Sequence, residues 1–360
     1  MAIATGDRIT ARSLAVLREG QARSGAFVAS PAFRVYDFGW LRDGSFCAHA
    51  LDTVGLRAAS GAFHHWAQET IERQRAKAEA TISLVSAGQV PPVEAMLPAR
   101  YTLDGAIEQD DPEEPWPNFQ IDGYGMWLWS LERHLAGRAP DREQAGTVEL
   151  TARYLAASWR LPCWSCWEEF QTGEHASTLA AASAGLAAAA RLLDDGAFAD
   201  EAERIRSMLA GRYLTNGYFA LAPGDTRVDA SITWLGVPFG VFAVDDPRVE
   251  STIAEVKRQL IGPSGGVYRY RGDTYYGGGE WLLLTSSLAW HEAVAGNDGS
   301  AAELRAWVRA QARENGDLPE QVTGHSQVPE MVAPWIERWG PVANPLLWSH
   351  AMYLLSEAAR

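Results

Sequence analysis

The chain has 360 residues, 47% of them hydrophobic and 15 of them tryptophan, with a formal net charge of −14. That length admits two average domains or one large barrel. The acidity removes the basic footprint that nucleic acid requires and disfavours anionic membranes, which leaves neutral or cationic small molecules as partners.

From the N-terminus, "MAIATGDRITARSLAVLREGQ" lacks the continuous apolar core of a secretory signal, and within it "ARSLAVLREGQ" is apolar at helical spacing. No stretch of the chain reads as long and apolar enough to span a bilayer. Helical patterning continues through "DGSFCAHALDTVG" and then "AFHHWAQETIERQRAKAEATISLV", read as one helix. The next segment, residues 88–120, is rich in proline and acids but carries Met96, Tyr101, Trp116 and Phe119. A disordered linker rarely spends aromatics, so a packed functional loop is expected there. Its "DDPEEP" superficially resembles the aspartate-rich metal motif of helical cyclases, yet it lies in a proline-rich loop.

Further helices are predicted at "GYGMWLWSLERHLAG", "REQAGTVELTARYLAASW", "STLAAASAGLAAAARLLDD" and "AFADEAERIRSMLAGRY", with a short one at "DASITWLGVPF". "PRVESTIAEVKRQL", "GEWLLLTSSLAWHEAVAG", "SAAELRAWVRAQARENG" and "PLLWSHAMYLLSEAAR" complete about twelve, with few convincing strand runs. The alanine-rich helix near 175–193 is apolar on more than one face and should be buried. Two concentric rings of six helices fit this count. A solenoid would show a fixed repeat of roughly 34–47 residues, and none is visible.

The cysteines are three, Cys47, Cys163 and Cys166. An odd, low count suits a reducing cytoplasm, and cytoplasmic localisation is the expectation. The lone C-x-x-C at Cys163 and Cys166 has neither a second pair to complete a zinc site nor a βαβ context for redox work, so these cysteines read as structural.

Polar and aromatic residues recur together at predicted helix edges. They occur in "YDFGWLRDGSF" (36–46), "PWPNFQIDGYG" (115–125), "SCWEEF" (165–170), "RYRGDTYYGGGEW" (269–281), "LPEQ" (318–321) and "PLLWSHA" (345–351). Sugars present apolar ring faces and hydroxyls, so tryptophan beside Asp, Arg and Tyr is the expected lining for one. The adjacent Glu168 and Glu169 among Trp164, Trp167 and Phe170 raise a sharper possibility, because a carboxyl in an apolar pocket keeps its proton and can act as a general acid.

These segments resemble, in order, those of glycoside hydrolase family 15, the glucoamylase-like inverting α-glucosidases. The resemblance runs from about Tyr36 to the C-terminus. "Y-x-F-x-W-x-R-D" at Tyr36, Phe38, Trp40, Arg42 and Asp43 is similar to the first substrate-binding segment. Trp116, Gln120, Asp122 and Gly123 match the loop whose tryptophan covers the site. "WEE" at Trp167 to Glu169 matches the general-acid segment, and "PEQ" the general-base segment. Arg269 falls on a sugar-binding arginine, and "WSHA" around Trp348 on the closing aromatic segment. Ser165 stands where many members carry Asp, and Phe38 where fungal members carry Tyr.

The resemblance implies an all-α (α/α)6 barrel occupying residues 1–360 as a single catalytic domain, without cofactor or metal. It implies Glu168 as acid and Glu320 as base, the carboxyls roughly 6.5–9.5 Å apart to admit a water. The aromatics should raise the pKa of Glu168, while Glu320 should be better solvated and ionised. Tyr36 would sit near the attacking water. Tyr275 would hold Tyr36 or serve only in packing, and Glu169 would contact the leaving-group sugar or remain a plain solvated or salt-bridged acid. Trp40, Arg42, Asp43, Trp116, Arg269 and Trp348 would line a closed pocket for one terminal glucose. Only about 35 residues precede the first motif, too few for the N-terminal β-sandwich of many bacterial members. Starch-binding modules are missing from the pattern too, so a short α-glucoside is expected as substrate, isomaltose slightly ahead of maltose. A trehalase-like or phosphorolytic barrel enzyme and a non-enzymatic helical scaffold are the competing readings.

Overall fold

Helices that are apolar on nearly every side must be surrounded by other helices, and that requirement organises this chain. The structure, a computed structural model, describes residues 8–108, 116, 119–170 and 174–359. Its α-helices among these are α1 (Arg8–Glu19), α2 (Leu41–Thr53), α3 (Arg57–Arg73), α4 (Arg75–Ser86), α5 (Asp122–Leu135), α6 (Arg142–Ser158), α7 (Ala176–Leu193), α8 (Gly196–Arg212), α9 (Pro247–Leu260), α10 (Leu282–Val294), α11 (Asp298–Ala310), α12 (Val332–Trp339) and α13 (Leu347–Ala358).

The inner ring is α2, α5, α7, the 3-10 helix Ala230–Leu235, α10 and α13, each packed on the next, with α13 returning to α2 to close it. Outside lie α1 on α13, α3 on α2, α6 and α8 on α7, α9 on the 3-10 helix and α11 on α10. Inner and outer elements alternate along the chain, so the fold is an (α/α)6 barrel. Burial follows the same division. Every residue of α13 from Leu347 to Ser356 is buried, whereas α8 buries only five of its seventeen.

Two predicted elements need correction, and one helix was not predicted. The helix expected through residues 62–85 is two, broken at Gln74, because α3 rests on α2 and α5 while α4 turns away onto α6. The short element at "DASITWLGVPF" is 3-10 rather than α-helical and stops at Gly236. Helix α12 was not anticipated, because Pro334 interrupts its pattern. Pro334 falls in the first turn, where its missing N–H has no intrahelical partner to lose. One exclusion also fails as stated, since α7 is long and apolar enough to cross a membrane by length and composition. It is instead a mostly buried core helix of the inner ring.

Two-residue strands fasten the loops at the inner end of the barrel. Gly39–Trp40 pairs antiparallel with Arg100–Tyr101, and Glu280–Trp281 with Gln321–Val322. The first pairing shows that the loop beginning at residue 88 is packed, with Met96, Tyr101 and Phe119 buried. "DDPEEP" lies outside the described residues. All three cysteines are buried, and none is in a disulfide.

Helices α5 and α7 meet backbone to backbone through Gly125 and Gly185. A Cβ on Gly185 would lie 2.5 Å from Gly125 Cα, and one on Gly125 would lie 2.3 Å from Ala181 O. Neither neighbour is a flexible side chain that could move aside. Gly185→Ala should therefore cost about 1–3 kcal/mol in overpacking, read as a lower midpoint in denaturant. Gly211→Ala on α8, with open space around it, should cost nothing.

Candidate active site

Each inner element starts at the same end of the barrel, and the loops that lead into them carry the polar and aromatic clusters. Trp40 precedes α2, Gln120 precedes α5, residues 165–170 precede α7, Trp281 precedes α10 and Leu346 precedes α13. Between these starts lies a cavity of about 250 Å³. Tyr36, Trp40, Arg42, Asp43, Trp116, Glu168, Glu169, Arg269, Tyr275, Glu320 and Trp348 all line it, so the catalytic and sugar-binding candidates are brought to one place, while Phe38, Gln120 and Asp122 of the same segments do not line it.

Glu168 is presented by a tight loop. The backbone N–H of Ser165 donates to Glu169 O at 2.9 Å, and that of Glu168 to Ser165 O at 2.9 Å. The Ser165 hydroxyl oxygen accepts from the N–H groups of Trp167 (3.2 Å) and Glu169 (3.4 Å). A serine thus ties this loop internally where an aspartate was expected. Glu168 has a left-handed backbone, φ 61°, a conformation that costs a non-glycine residue energy and persists where the surroundings fix it. The fixing contact is Trp167, whose Nε1 donates to Asp229 Oδ2 at 2.6 Å at the start of the inner 3-10 helix.

The Glu168 carboxylate accepts from Trp40 Nε1 at 2.8 Å and lies 3.4 Å from Arg42 Nη2. Arg42 is buried and shared: Nη1 donates to Gln120 Oε1 at 2.7 Å, Nε lies 3.2 Å from Asp43, and Nη1 lies 3.6 Å from Asp122. Burial pushes Asp43 up to about 6 despite Arg42 beside it, and raises Asp122 as well. Arg42 also lies over the Trp348 ring, 5.2 Å from its centroid, and Trp348 stacks on Phe46 at 5.6 Å to form the floor.

A second buried guanidinium, Arg269, forms a two-pronged pair with Asp273 at 2.8 and 2.6 Å and reaches Glu169 Oε1 at 2.9 Å. Glu169 also accepts from the Tyr270 hydroxyl. Glu169 is thus salt-bridged rather than free in solvent, and it stands at the cavity wall where a leaving-group sugar would pass. Sequence reasoning did not single out Tyr270 or Asp273. Their signal was the spacing within "RYRGD", one and four residues after Arg269.

Glu320 lines the same cavity. The Tyr36 hydroxyl donates to its Oε1 at 3.0 Å and lies 2.9 Å from the Tyr275 hydroxyl. With the Tyr36 proton directed at Glu320, Tyr275 donates to Tyr36, so Tyr275 does more than pack. The expectation that Glu320 is the better solvated carboxyl is overturned. It is 2% exposed and Oε2 has no protein partner, whereas Glu168 is only half-buried. Burial behind Tyr36 and Tyr275 pushes Glu320 up to about 8, against the opposing pull of the Tyr36 hydrogen bond and the Arg269 charge.

The mouth of the cavity holds residues that the sequence reading passed over. Trp335, Arg338 and Trp339 of α12 line it. Trp339 stacks on Trp116 at 6.3 Å, and Trp335 meets the Tyr275 ring edge-on at 5.1 Å. Trp335 and Trp339 stand four apart, one face of a helix. That was the available signal, masked by Pro334.

Residues 10–315 match the family described as "Glycosyl hydrolases family 15". The chain is 40% identical over 352 residues to "Isomaltose glucohydrolase" of Kribbella flavida, covering 95% of this chain and 90% of that protein. Among solved structures, a wild-type glycosidase superposes with a TM-score of 0.91 at 40% identity, covering 97% of this chain and 95% of that one. A bacterial glucoamylase complexed with acarbose shares the fold at a TM-score of 0.77 and 19% identity, over 98% of this chain and 55% of its own.

The burial of Glu320 has a consequence for stability. Its carboxyl is held at about 8 in the folded chain, above the 4.5 of a free group. Between those values the unfolded state has lost the proton and the folded state has kept it, so stability falls as pH rises through this window. Glu320→Gln removes the effect. Its melting temperature should match the parent near pH 4.5 and exceed it increasingly up to pH 8. A constant difference across that range would contradict the buried, proton-holding environment.

Proposed function

This chain belongs to glycosyl hydrolase family 15, and from that premise we propose that it releases β-glucose from the non-reducing end of short α-glucosides, isomaltose foremost. One observation carries the reading. Two carboxyls, each with its own donors, Trp40 to Glu168 and Tyr36 to Glu320, line one cavity whose wall also carries Trp116 and Trp348. A cavity of that form takes one terminal sugar and leaves the bond to be cut at its mouth.

Glu168 is the general acid. It gives its proton to the glycosidic oxygen as the bond from that oxygen to the anomeric carbon breaks. Glu320 is the general base, taking a proton from a water whose oxygen bonds to the anomeric carbon from the opposite face. The configuration inverts, and each product oxygen carries one proton. The Tyr36 hydroxyl, bonded to Glu320, is placed to orient that water. Arg42 and Asp43, buried at the floor, supply donor and acceptor to the hydroxyls of the terminal glucose, and Trp348 offers its ring face. Glu169, held by Arg269 and Tyr270, stands beside the acid on the leaving-group side.

Glu320 begins the cycle ionised, which its burial opposes and Tyr36 and Arg269 support. The acid limb of the kcat/KM profile should therefore lie well above the ~4.3 of an unperturbed glutamate.

The preference for a short substrate rests on the wall made by Trp116 and α12, and the choice of isomaltose on the 40% identical relative of that name. Comparison of kcat/KM for isomaltose, maltose, trehalose and starch tests it. Isomaltose should lead, and a tenfold lead for starch, about 1.4 kcal/mol in transition-state binding, would refute the short-substrate reading. Glu168→Gln and Glu320→Gln should each lower kcat by roughly 10²–10⁴. For Tyr36→Phe the loss should fall on kcat rather than KM.

A further inference from the structure

At the far end of the barrel, three potential ligands from three helices converge. Asp52 ends α2, His64 lies within α3 and His134 ends α5. Their ligating atoms all lie within 4.8 Å of one another. Asp52 follows Arg42 by ten residues and His134 follows Asp122 by twelve. At ~1.5 Å rise per residue the cluster is about 15–18 Å along the helices from the catalytic pocket. It therefore has no part in the chemistry described above.

Two of the three are already in contact. His134 Nδ1 lies 3.0 Å from each Asp52 oxygen, and Ser60 Oγ lies 2.8 Å from Asp52 Oδ2 and 3.2 Å from His134 Nδ1. These contacts account for Asp52 and His134 but not for His64. That ring is 2% exposed, its centroid is 4.9 Å from that of His134, and neither of its nitrogens has a hydrogen-bond partner. A buried imidazole with both nitrogens idle forfeits the bonds it made to water, so something should engage it.

We infer that Asp52, His64 and His134 form a structural site for a divalent transition-metal cation of the zinc class. Two imidazoles and a carboxylate are a donor set that zinc accepts and that magnesium and calcium, which prefer all-oxygen shells, do not. Tetrahedral zinc with ligands at ~2.0–2.1 Å places ligand atoms roughly 3.3 Å apart. The Asp52–His134 separation is near that spacing, and a modest closing movement of His64 completes three ligands. The fourth position falls to Ser60 Oγ or solvent. Arg57 Nη1, 3.9 Å from Asp52, opposes a cation there, and its Nη2 donates to the His134 carbonyl; its side chain is 44% exposed, so an entering cation has to displace it toward solvent. The bound ion would tie the ends of two inner helices to an outer one, so its effect is on stability.

Calorimetric titration of the chelator-stripped full chain with Zn²⁺, with Mg²⁺ in parallel, tests this. One Zn²⁺ should bind per chain at least tenfold more tightly than Mg²⁺ and raise the melting temperature. His64→Phe, which keeps a ring in the buried space, and Asp52→Asn should each weaken zinc at least tenfold. His65→Ala, which removes the neighbouring exposed histidine paired with Glu69, should bind as the parent does. Equal binding by the parent and His64→Phe would assign the ion to the surface and overturn the site, as would failure of the parent to bind zinc saturably. Should His64→Phe not fold, Asp52→Asn carries the same decision.

Discussion

The pocket depends on the burial of one cation, the guanidinium of Arg42. It faces three carboxylates, Asp43, Asp122 and Glu168, that come from three different segments. Without it, three acids would converge in a low-dielectric space with nothing to balance them. With it, the starts of α2 and α5 and the loop before α7 are held in one geometry. Arg269 does the same on the other side for Asp273 and Glu169. The balance still favours negative charge, with six carboxyl groups around two deeply buried guanidiniums. Burial displaces Asp43, Asp122 and Glu320 upward, and the nearby Glu168 charge adds to it at Asp43 and Asp122. An oxocarbenium-like transition state carries positive charge at the anomeric carbon, and a cavity of this sign is where it is stabilised.

The barrel supplies the convergence. Because inner and outer elements alternate, the inner elements run the same way, and the long loops that lead into their starts form one surface. The chain can then draw residues as distant as Tyr36 and Glu320 to a 3.0 Å hydrogen bond. The small residues of α5 and α7 bring those helices close enough for the ring to close. The two-residue strands do for the loops what the helices do for the barrel. Each fixes a tryptophan, Trp40 or Trp281, at the point where an inner helix begins.

Much of this was legible in the sequence, for a physical reason. Tryptophans beside charged residues at helix edges are costly unless they serve something, so "GWLRD", "SCWEEF" and "RYRGDTYY" stood out and did meet. What was hidden depended on proximity across the chain. The relative burial of Glu168 and Glu320 could not be read from their neighbours. Trp164 and Trp167 surround Glu168 in sequence, yet it is Glu320, in the unremarkable "LPEQ", that lies under Tyr36 and Tyr275. Helix α12 was obscured by Pro334, and with it Trp335 and Trp339 at the mouth. His64 looked like one more residue of a long amphipathic helix, because nothing in sequence places it beside Asp52 and His134.

The central claim is that Glu168 and Glu320 act from opposite faces of one glycosidic bond. The anomer of the glucose first released reports this most directly. Proton NMR of isomaltose hydrolysis, followed before mutarotation equilibrates the product, should show the β-anomer appearing first. Initial release of the α-anomer would mean a carboxylate attacks the sugar itself, and would contradict the assignment of Glu320 as a base acting through water.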